Sequence, residues 1–278
     1  MKNYKIVFFG FFTLILFLIP VLEFNSKSGY PEFFILNSAE KKENLHKQEA
    51  PDTIINTTVD KKYLLGKFNP AEERAFVEVD LKCANRKGLY LRKETYDAFI
   101  KMFEAALKDG IELSIISATR NFKTQKYLWE RKWSGKKLVS GKNLAKNIYN
   151  PIKRAIIVLK YSSMPGTSRH HWGTDIDLNK DKNDYFLTDK GKKIYKWLKE
   201  NAHLYGFCQT YTQKDSLRAT GYEEEKWHWS YIPLAKFFLA QYINKVSYDD
   251  LKGFMGWETA KEIKVIQNYV LAINKDCK

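Results

Sequence analysis

The segment "SSMPGTSRHHWGTDIDL", Ser162–Leu178, combines a turn, a pair of adjacent histidines and a short alternating run. Met-Pro-Gly is typical of a turn, and "GTDIDL" alternates apolar and polar residues as a half-buried strand does. The chain has only five histidines, yet two of them, His170 and His171, stand just before two aspartates, Asp175 and Asp177. A polar turn that leads into a strand explains this pattern, and so does one half of a metal site.

The second half of such a site occurs later in the chain, in "EEEKWHWSY". Catalytic zinc is held by three protein ligands from His, Asp, Glu or Cys and keeps one position open for water. His170 and one of the two aspartates supply two ligands, and His228 is the candidate for the third. Glu225 is a nearby carboxylate that can take a proton from zinc-bound water. The residues alone predict a metal-dependent hydrolase and leave Asp175 and Asp177 as alternatives.

Three short segments follow one another in a defined order: "SATRNFKTQ" at 117–125, "SRHHWGTDID" at 168–177 and "EKWH" at 225–228. They resemble the Ser-x-x-Arg-(x)n-Gln, Ser-x-His-x-x-Gly-x-x-x-Asp and Glu-x-Trp-His motifs of the zinc D-alanyl-D-alanine peptidases. This family, of the VanX/VanY type, is related in fold to the Hedgehog signalling domain. The likeness extends over about Cys83–Tyr231, and three motifs in the correct order are a specific match.

The resemblance implies that His170, Asp177 and His228 bind Zn²⁺ and that Glu225 is the general base. It also implies that Arg120 lies beside the scissile carbonyl. A fixed guanidinium and zinc together can stabilise the oxyanion that forms when hydroxide adds to a peptide carbonyl.

Other residues at motif positions have less defined roles. Ser168 and Gln125 occupy positions that contact substrate or order the site in the family, and loop hydrogen bonding is their alternative. Trp227 is expected to wall the pocket or to belong to the core. His171 is expected to be structural. Asp175 is expected to lie behind the metal ligands, where it accepts a ring N–H from a ligating histidine.

The reaction that the resemblance implies is hydrolysis of the terminal D-Ala-D-Ala bond in peptidoglycan stem peptides by a D-alanyl-D-alanine carboxypeptidase. An L,D-carboxypeptidase that acts on tetrapeptides and an endopeptidase that cuts cross-links are alternatives of the same fold. A non-catalytic cell-wall or zinc-binding module is an alternative of a different class, and loss of a ligand or of the base would mark it. All four of those residues are present.

The chain departs from the family pattern at four positions. Lys226 stands where proline is frequent, and Ser230 stands where arginine is frequent. Trp172 is bulkier and Asp175 more charged than the residues that many relatives carry there. None of these belongs to the implied zinc set, so they bear on the choice of substrate.

The composition is that of a folded, basic protein. Of 278 residues 44% are hydrophobic and 15% aromatic, too many for a disordered chain. The formal net charge of +15 suits an anionic envelope polymer or lipid surface. No nucleic-acid-binding motif accompanies the scattered lysines, so no nucleic-acid partner is predicted. Three cysteines without metal-type spacing allow one disulfide in an oxidising compartment. The oligomeric state is left open.

The N-terminal part predicts export. "IVFFGFFTLILFLIPVL", Ile6–Leu22, is uncharged, follows two lysines and is just long enough to span a bilayer. We expect a signal peptide or membrane anchor at 1–24, a polar tether at 25–62, a zinc peptidase domain at 63–245 and a helical extension at 246–278. The predicted location is the periplasm or cell envelope, with possible anchoring through 6–22 and cleavage left open.

Separate helical and strand patterns predict an α+β fold with a small central antiparallel sheet flanked by helices. Helices are expected in "ETYDAFIKMFEAALKDG", "TQKYLWERKW", "KKIYKWLKENAHLYGF" and "WETAKEIKVIQNYVLAI". Strands are expected in "IELSIISA", "GTDIDL" and "KWHWSYI".

Overall fold

The structure is a computed structural model that describes residues 59–278. The predicted anchor at 1–24 and most of the predicted tether lie outside these residues. The helices are α1 Lys61–Leu64, α2 Lys93–Lys108, α3 Phe122–Trp133, α4 Leu144–Asn147, α5 Pro151–Val158, α6 Asp189–Asn201, α7 Ile232–Lys245 and α8 Thr259–Glu262. The strands are β1 Phe76–Glu78, β2 Tyr90–Arg92, β3 Ile115–Ser117, β4 Asp175–Leu178, β5 Phe207–Gln209 and β6 His228–Tyr231. Short 3-10 helices lie at Leu81–Cys83, Arg169–Trp172, Asn183–Leu187, Ala202–Tyr205, Tyr248–Asp250 and Lys275–Cys277, and a π-helical turn lies at Ile266–Val270.

The central sheet has four strands in the order β3–β4–β6–β5, and all neighbours are antiparallel. β1 and β2 form a separate antiparallel pair. Helices pack around the sheet, so the predicted α+β fold with a small central antiparallel sheet is confirmed.

Strand β4 separates the core from the site. Side chains alternate along a strand, so Ile176 and Leu178 point to one face while Asp175 and Asp177 point to the other. The two apolar residues are fully buried in the main core beside α2. The two carboxylates therefore share the opposite face, as expected from their spacing.

Helix α2 covers the core face of the sheet. Thr95, Phe99, Met102 and Ala106 form its buried stripe, spaced by four and three residues as a helix face requires. Leu107 is apolar but 55% exposed, so it lies outside this buried stripe. The helix stops before Gly110, which adopts the left-handed φ of 72° expected of a stop.

The helix expected at the C-terminal end is broken. Lys264 has a φ of 52°, which ends α8 and separates it from the π-helical turn. Ile263 and Val265 are both buried, although residues two apart on one continuous helix point in nearly opposite directions. The break allows both side chains to enter the core. The single-helix prediction for Trp257–Ile273 was therefore wrong.

The C-terminal segment packs on the rest of the fold. Cys208 and Cys277 form a disulfide, while Cys83 is free and buried. The backbone N–H of Asn274 donates to the carbonyl oxygen of Thr210 at 2.9 Å. Residues 274–277 thus cover strand β5 and the start of the loop after it.

At the other end, α1 spans the predicted boundary between tether and domain at residues 62 and 63. Asp60 accepts a hydrogen bond from the backbone N–H of Lys62 and caps this helix. Lys61 pairs with Asp250 at 3.1 Å. Residues 60–62 are therefore part of the fold. Among residues 59–278, none of the helices has the length and apolar character needed to cross a membrane.

Candidate active site and metal centre

Two paired strands place the predicted ligands side by side. In the register of β4 and β6, Asp177 stands opposite His228. His170 comes from the 3-10 helix Arg169–Trp172, after which Gly173, with a φ of 76°, turns the chain into β4. The ligand atoms of the three residues lie within 4.8 Å of one another, and all three residues are buried.

Two buried atoms of this cluster have no hydrogen-bond partner within residues 59–278, namely Nε2 of His170 and Oδ1 of Asp177. This Oδ1 lies 3.4 Å from that Nε2 and 3.2 Å from Nδ1 of His228. Unpartnered buried polar atoms are costly, and a cation bound between them would remove that cost. Two imidazoles and one carboxylate are a donor set of catalytic zinc sites. The residues fit the predicted zinc ion.

Acceptors behind the histidines determine which ring nitrogen faces the cluster. Nδ1 of His170 lies 2.8 Å from the carbonyl oxygen of Ala118, so Nε2 points to the cluster. Nε2 of His228 lies 2.9 Å from Oδ2 of Asp175, so Nδ1 is the nitrogen that faces the cluster. Such contacts fix the tautomer and orientation of a ligand. The contact expected for Asp175 is therefore present.

Asp175 is held in a buried ion pair. Nε of Arg169 donates to its Oδ2 at 3.0 Å, and both side chains are 0% exposed. Ser230 donates its hydroxyl to Oδ1 of Asp175 at 2.8 Å and accepts from Nη2 of Arg169 at 2.7 Å. Burial would raise the pKa of Asp175, but Arg169 and His228 hold it well below its usual range. Asp175 therefore stays ionised beside His228.

Glu225 lies next to the cluster, with Oε2 at 3.5 Å from Nδ1 of His228. Its backbone N–H donates to the carbonyl oxygen of Tyr211 at 2.9 Å, which fixes its place at the edge of the cavity. Burial raises the pKa of Glu225 to about 8. A bound cation would favour the ionised form and lower this pKa again. The position and the pKa both suit a general base.

Arg120 reaches the same cluster and is oriented by Gln125. Nε of Arg120 donates to Oε1 of Gln125 at 3.0 Å, and Gln125 in turn donates to the carbonyl oxygen of Ser163 at 2.8 Å. Nη1 of Arg120 lies 2.9 Å from Oγ of Ser117 and 3.3 Å from Oδ2 of Asp177. Of the two roles predicted for Gln125, these contacts favour ordering of the site.

His171 has the structural contacts expected of it. The backbone N–H of Gly166 donates to its Nε2 at 3.0 Å, and its Nδ1 faces the carbonyl oxygen of Arg120. Because the ring joins two loops that carry site residues, it supports the site without facing the metal cluster.

A cavity of about 520 Å³ opens beside the cluster and is lined in part by Ser168 and Trp227. The hydroxyl of Ser168 is buried without a hydrogen-bond partner among the described residues. Trp227 lies with its ring centroid 6.2 Å from that of Tyr161 and also packs in the main core. Its two predicted roles are thus compatible.

Known proteins resemble this chain in both sequence and fold. The model of the VanY family, described as D-alanyl-D-alanine carboxypeptidase, matches residues 88–234, more than half of the chain. The "Putative carboxypeptidase YodJ" of Bacillus subtilis (strain 168) is 30% identical over 216 residues, which cover 76% of this chain and 69% of that protein. This chain belongs to the VanY family. The resemblance inferred from its motifs is confirmed.

Other VanY-related proteins are more distant. A "D-alanyl-D-alanine carboxypeptidase" of Enterococcus faecalis (strain ATCC 700802 / V583) is 27% identical over 61% of this chain, and the match spans 57% of that relative. The crystal structure of a vancomycin-resistance D,D-pentapeptidase VanY variant in complex with Zn(II) is 25% identical, with a TM-score of 0.42, and the match covers 54% of this chain and 79% of the other.

Within the VanY pattern, Arg169 is the site residue that the sequence analysis missed. Its guanidinium is buried and donates hydrogen bonds to Asp175 and Ser230. The available signal was an arginine and an aspartate, Asp175, in one short segment of unlike charges.

Tyr211 was also missed. Its ring centroid lies 4.7 Å from that of His228 and 4.8 Å from that of Tyr222. Both tyrosines lie outside regular elements, so no periodic pattern marks them.

Proposed function

We propose that this VanY-family chain is a zinc-dependent D-alanyl-D-alanine carboxypeptidase that removes the terminal D-Ala from peptidoglycan stem peptides. The observation that carries the proposal is the convergence of His170, Asp177 and His228 beside Glu225 in one cavity. The metal ligands, the base and Arg120 are all present, which favours an enzyme over a binding module.

His170, Asp177 and His228 would hold the zinc ion through Nε2, Oδ1 and Nδ1. When bound, zinc makes water a nucleophile near neutral pH and polarises the scissile carbonyl. Glu225 accepts the proton of the attacking water and passes it to the amine of the departing D-Ala. Arg120, fixed by Gln125, donates to the carbonyl oxygen as negative charge develops on it.

Digestion of purified muropeptides by the zinc-loaded protein tests this function. Mass analysis should show loss of a single alanine from pentapeptide stems, and a chelator should abolish the reaction until zinc is restored. Release of alanine from tetrapeptides would instead indicate the L,D-carboxypeptidase. Conversion of cross-linked dimers into monomers would indicate the endopeptidase. No product from any of these would refute catalysis on the stem peptide.

We also propose that the protein is exported and held at the membrane by Ile6–Leu22, which lie outside the described residues. Its uncharged length after two lysines supports this, as does the Cys208–Cys277 disulfide, because disulfides persist in oxidising compartments. A reporter enzyme that is active only outside the cytoplasm, fused after Lys62, should be active. A silent but stable fusion would contradict export.

A further inference from the structure

Lys132 lies on the face of α3 that borders the active-site cavity. Gln125, Leu128 and Lys132 are spaced by three and four residues, and all three line the cavity. Gln125 is the residue that orients Arg120. One face of α3 thus carries Gln125, which holds the proposed oxyanion-binding arginine, and Lys132, two turns further on.

The ammonium of Lys132 is half-buried and has a neutral partner. Nζ donates to Oγ of Ser162 at 2.7 Å. Within residues 59–278, no Asp or Glu oxygen forms an ion pair with it at 4.0 Å or less. Burial, together with Lys137 and Arg120, lowers the pKa of Lys132 to about 8. A partly buried cation of this kind gains from a negatively charged partner.

The protonation state also favours an anionic ligand. At neutral pH a group with this pKa is mostly charged, so the desolvation cost is present in the protein without substrate. A carboxylate brought against Nζ would form a charge-assisted hydrogen bond and raise the pKa again. Ser162 already orients the ammonium in the cavity wall, which reduces the entropy lost when a ligand binds.

We propose that Lys132 binds the free C-terminal carboxylate of the substrate. This inference rests on the proposed function, because a carboxypeptidase substrate ends one residue beyond the bond that is cut. Its carboxylate lies roughly one residue length, about 3.6 Å of chain, past the scissile amide. Arg120 and Lys132 line the same cavity, so the scissile amide and the terminal carboxylate can both lie within it.

Such a contact would make the enzyme an exopeptidase. A chain that continues beyond the cleaved bond carries a neutral amide where the carboxylate would be, and it would leave the half-buried ammonium without a counterion. The enzyme would discriminate against such extended chains because they leave the ammonium of Lys132 without an anionic partner.

The test compares two peptides that differ only at the C-terminus, a D-Ala-D-Ala peptide with a free acid and the same peptide as its amide. In Lys132→Met, kcat/KM for the acid should fall about 10–100-fold, mostly through KM, while the value for the amide stays near that of the wild type. Lys132→Arg should restore most of the preference for the acid. Lys126→Met is the matched control, since Lys126 is on the same helix, has 40% of its side chain exposed and does not line the cavity.

An acid-to-amide ratio in Lys132→Met equal to that of the wild type would overturn the inference while leaving the proposed function intact. If the wild type cleaves neither peptide, the proposed function fails, and calorimetry still decides the role of Lys132. Dissociation constants for the two peptides are then compared in Glu225→Gln with and without Lys132→Met. Weakened binding of the acid alone supports the contact, and equal binding refutes it. Circular dichroism establishes that each variant is folded.

Discussion

Asp175 and Asp177 show how two carboxylates on one strand face acquire different roles. Strand alternation places both on the same side, so the residue pattern alone could not separate them. In the structure, Asp175 bonds to Arg169, to Ser230 and to Nε2 of His228. Oδ1 of Asp177 has no hydrogen-bond partner among the described residues. Of the two aspartates, only Asp177 is placed to bind the metal.

Substitution of each aspartate should therefore affect metal content differently. Asp177→Ala should purify with essentially no zinc and no activity, because it loses a direct ligand. Asp175→Ala should bind zinc about 10–100-fold more weakly and recover part of its activity at raised zinc, because it loses the partner that orients His228 but no direct ligand. Elemental analysis and zinc titration measure both effects. Zinc retained by Asp177→Ala and absent from Asp175→Ala would reverse the assignment.

Glu225 is predicted to transfer protons without binding the metal. Glu225→Gln keeps the shape of the side chain but cannot accept a proton, so its activity should fall by roughly 10²–10⁴ while zinc stays stoichiometric. The two quantities are measured on the same preparation. Turnover close to that of the wild type would show that another group is the base.

Much of the site was predictable from residue spacing joined to the family resemblance, but its supporting contacts were not. The His170, Asp177, His228 and Glu225 set lies in short motifs. Arg169 occupies an unspecified position of its motif, and it bonds to Ser230 of another strand, a contact that only tertiary pairing reveals.

At the scale of elements, α2, α3 and α6 were predicted as helices, α5 and α7 were not predicted, and the segment after α7 was predicted wrongly. In Trp257–Ile273, buried residues occur at spacings that suit a helix in part and fail at Ile263 and Val265. Contacts with distant parts of the fold decide its conformation. A local apolar period does not decide it.

The segment 246–278 should stabilise the catalytic fold through its disulfide. Removal of the 208–277 link by the double change Cys208→Ser and Cys277→Ser should lower the free energy of unfolding by about 2–4 kcal/mol, because the unfolded chain gains freedom. Denaturant unfolding measures this. A reducing agent should destabilise the wild type by a similar amount and leave the double variant unchanged. If it weakens both equally, the effect does not come from this disulfide.

The same segment reaches the metal site through a row of aromatic rings in contact. Tyr269 packs edge-on against Tyr222 with ring centroids 5.1 Å apart, and the row continues through the tilted ring of Tyr211 to His228. Loss of the segment would remove the outer end of this row, so its contribution extends from stability to the position of a ligand.

For the whole molecule, acidification should reduce stability in part through His171. Burial lowers its pKa from 6.5 to about 3. Between these values the unfolded chain binds a proton that the folded protein does not, so the free energy of unfolding falls as the pH falls. From about pH 6 to 4 this group contributes about 1.0–1.3 kcal/mol per pH unit, below the limit for one whole proton.

Comparison with His171→Gln isolates that contribution. The variant should be less stable at pH 7.5, since it loses contacts to the loops at Gly166 and Arg120. Its stability should nevertheless decline less steeply than that of the wild type between pH 6 and 4. Equal slopes in urea unfolding experiments would show that His171 is not the titrating group.

The position of residues 274–277 against β5 has a further consequence for association between molecules. β5 is an outer strand of the central sheet, and unpaired outer strands can recruit strands from other chains and start aggregation. Here Asn274 bonds to the carbonyl oxygens of Gln209 and Thr210, and the adjacent disulfide ties this cover in place. The covalent link therefore protects the sheet from intermolecular pairing, so the reduced protein should be the form that self-associates.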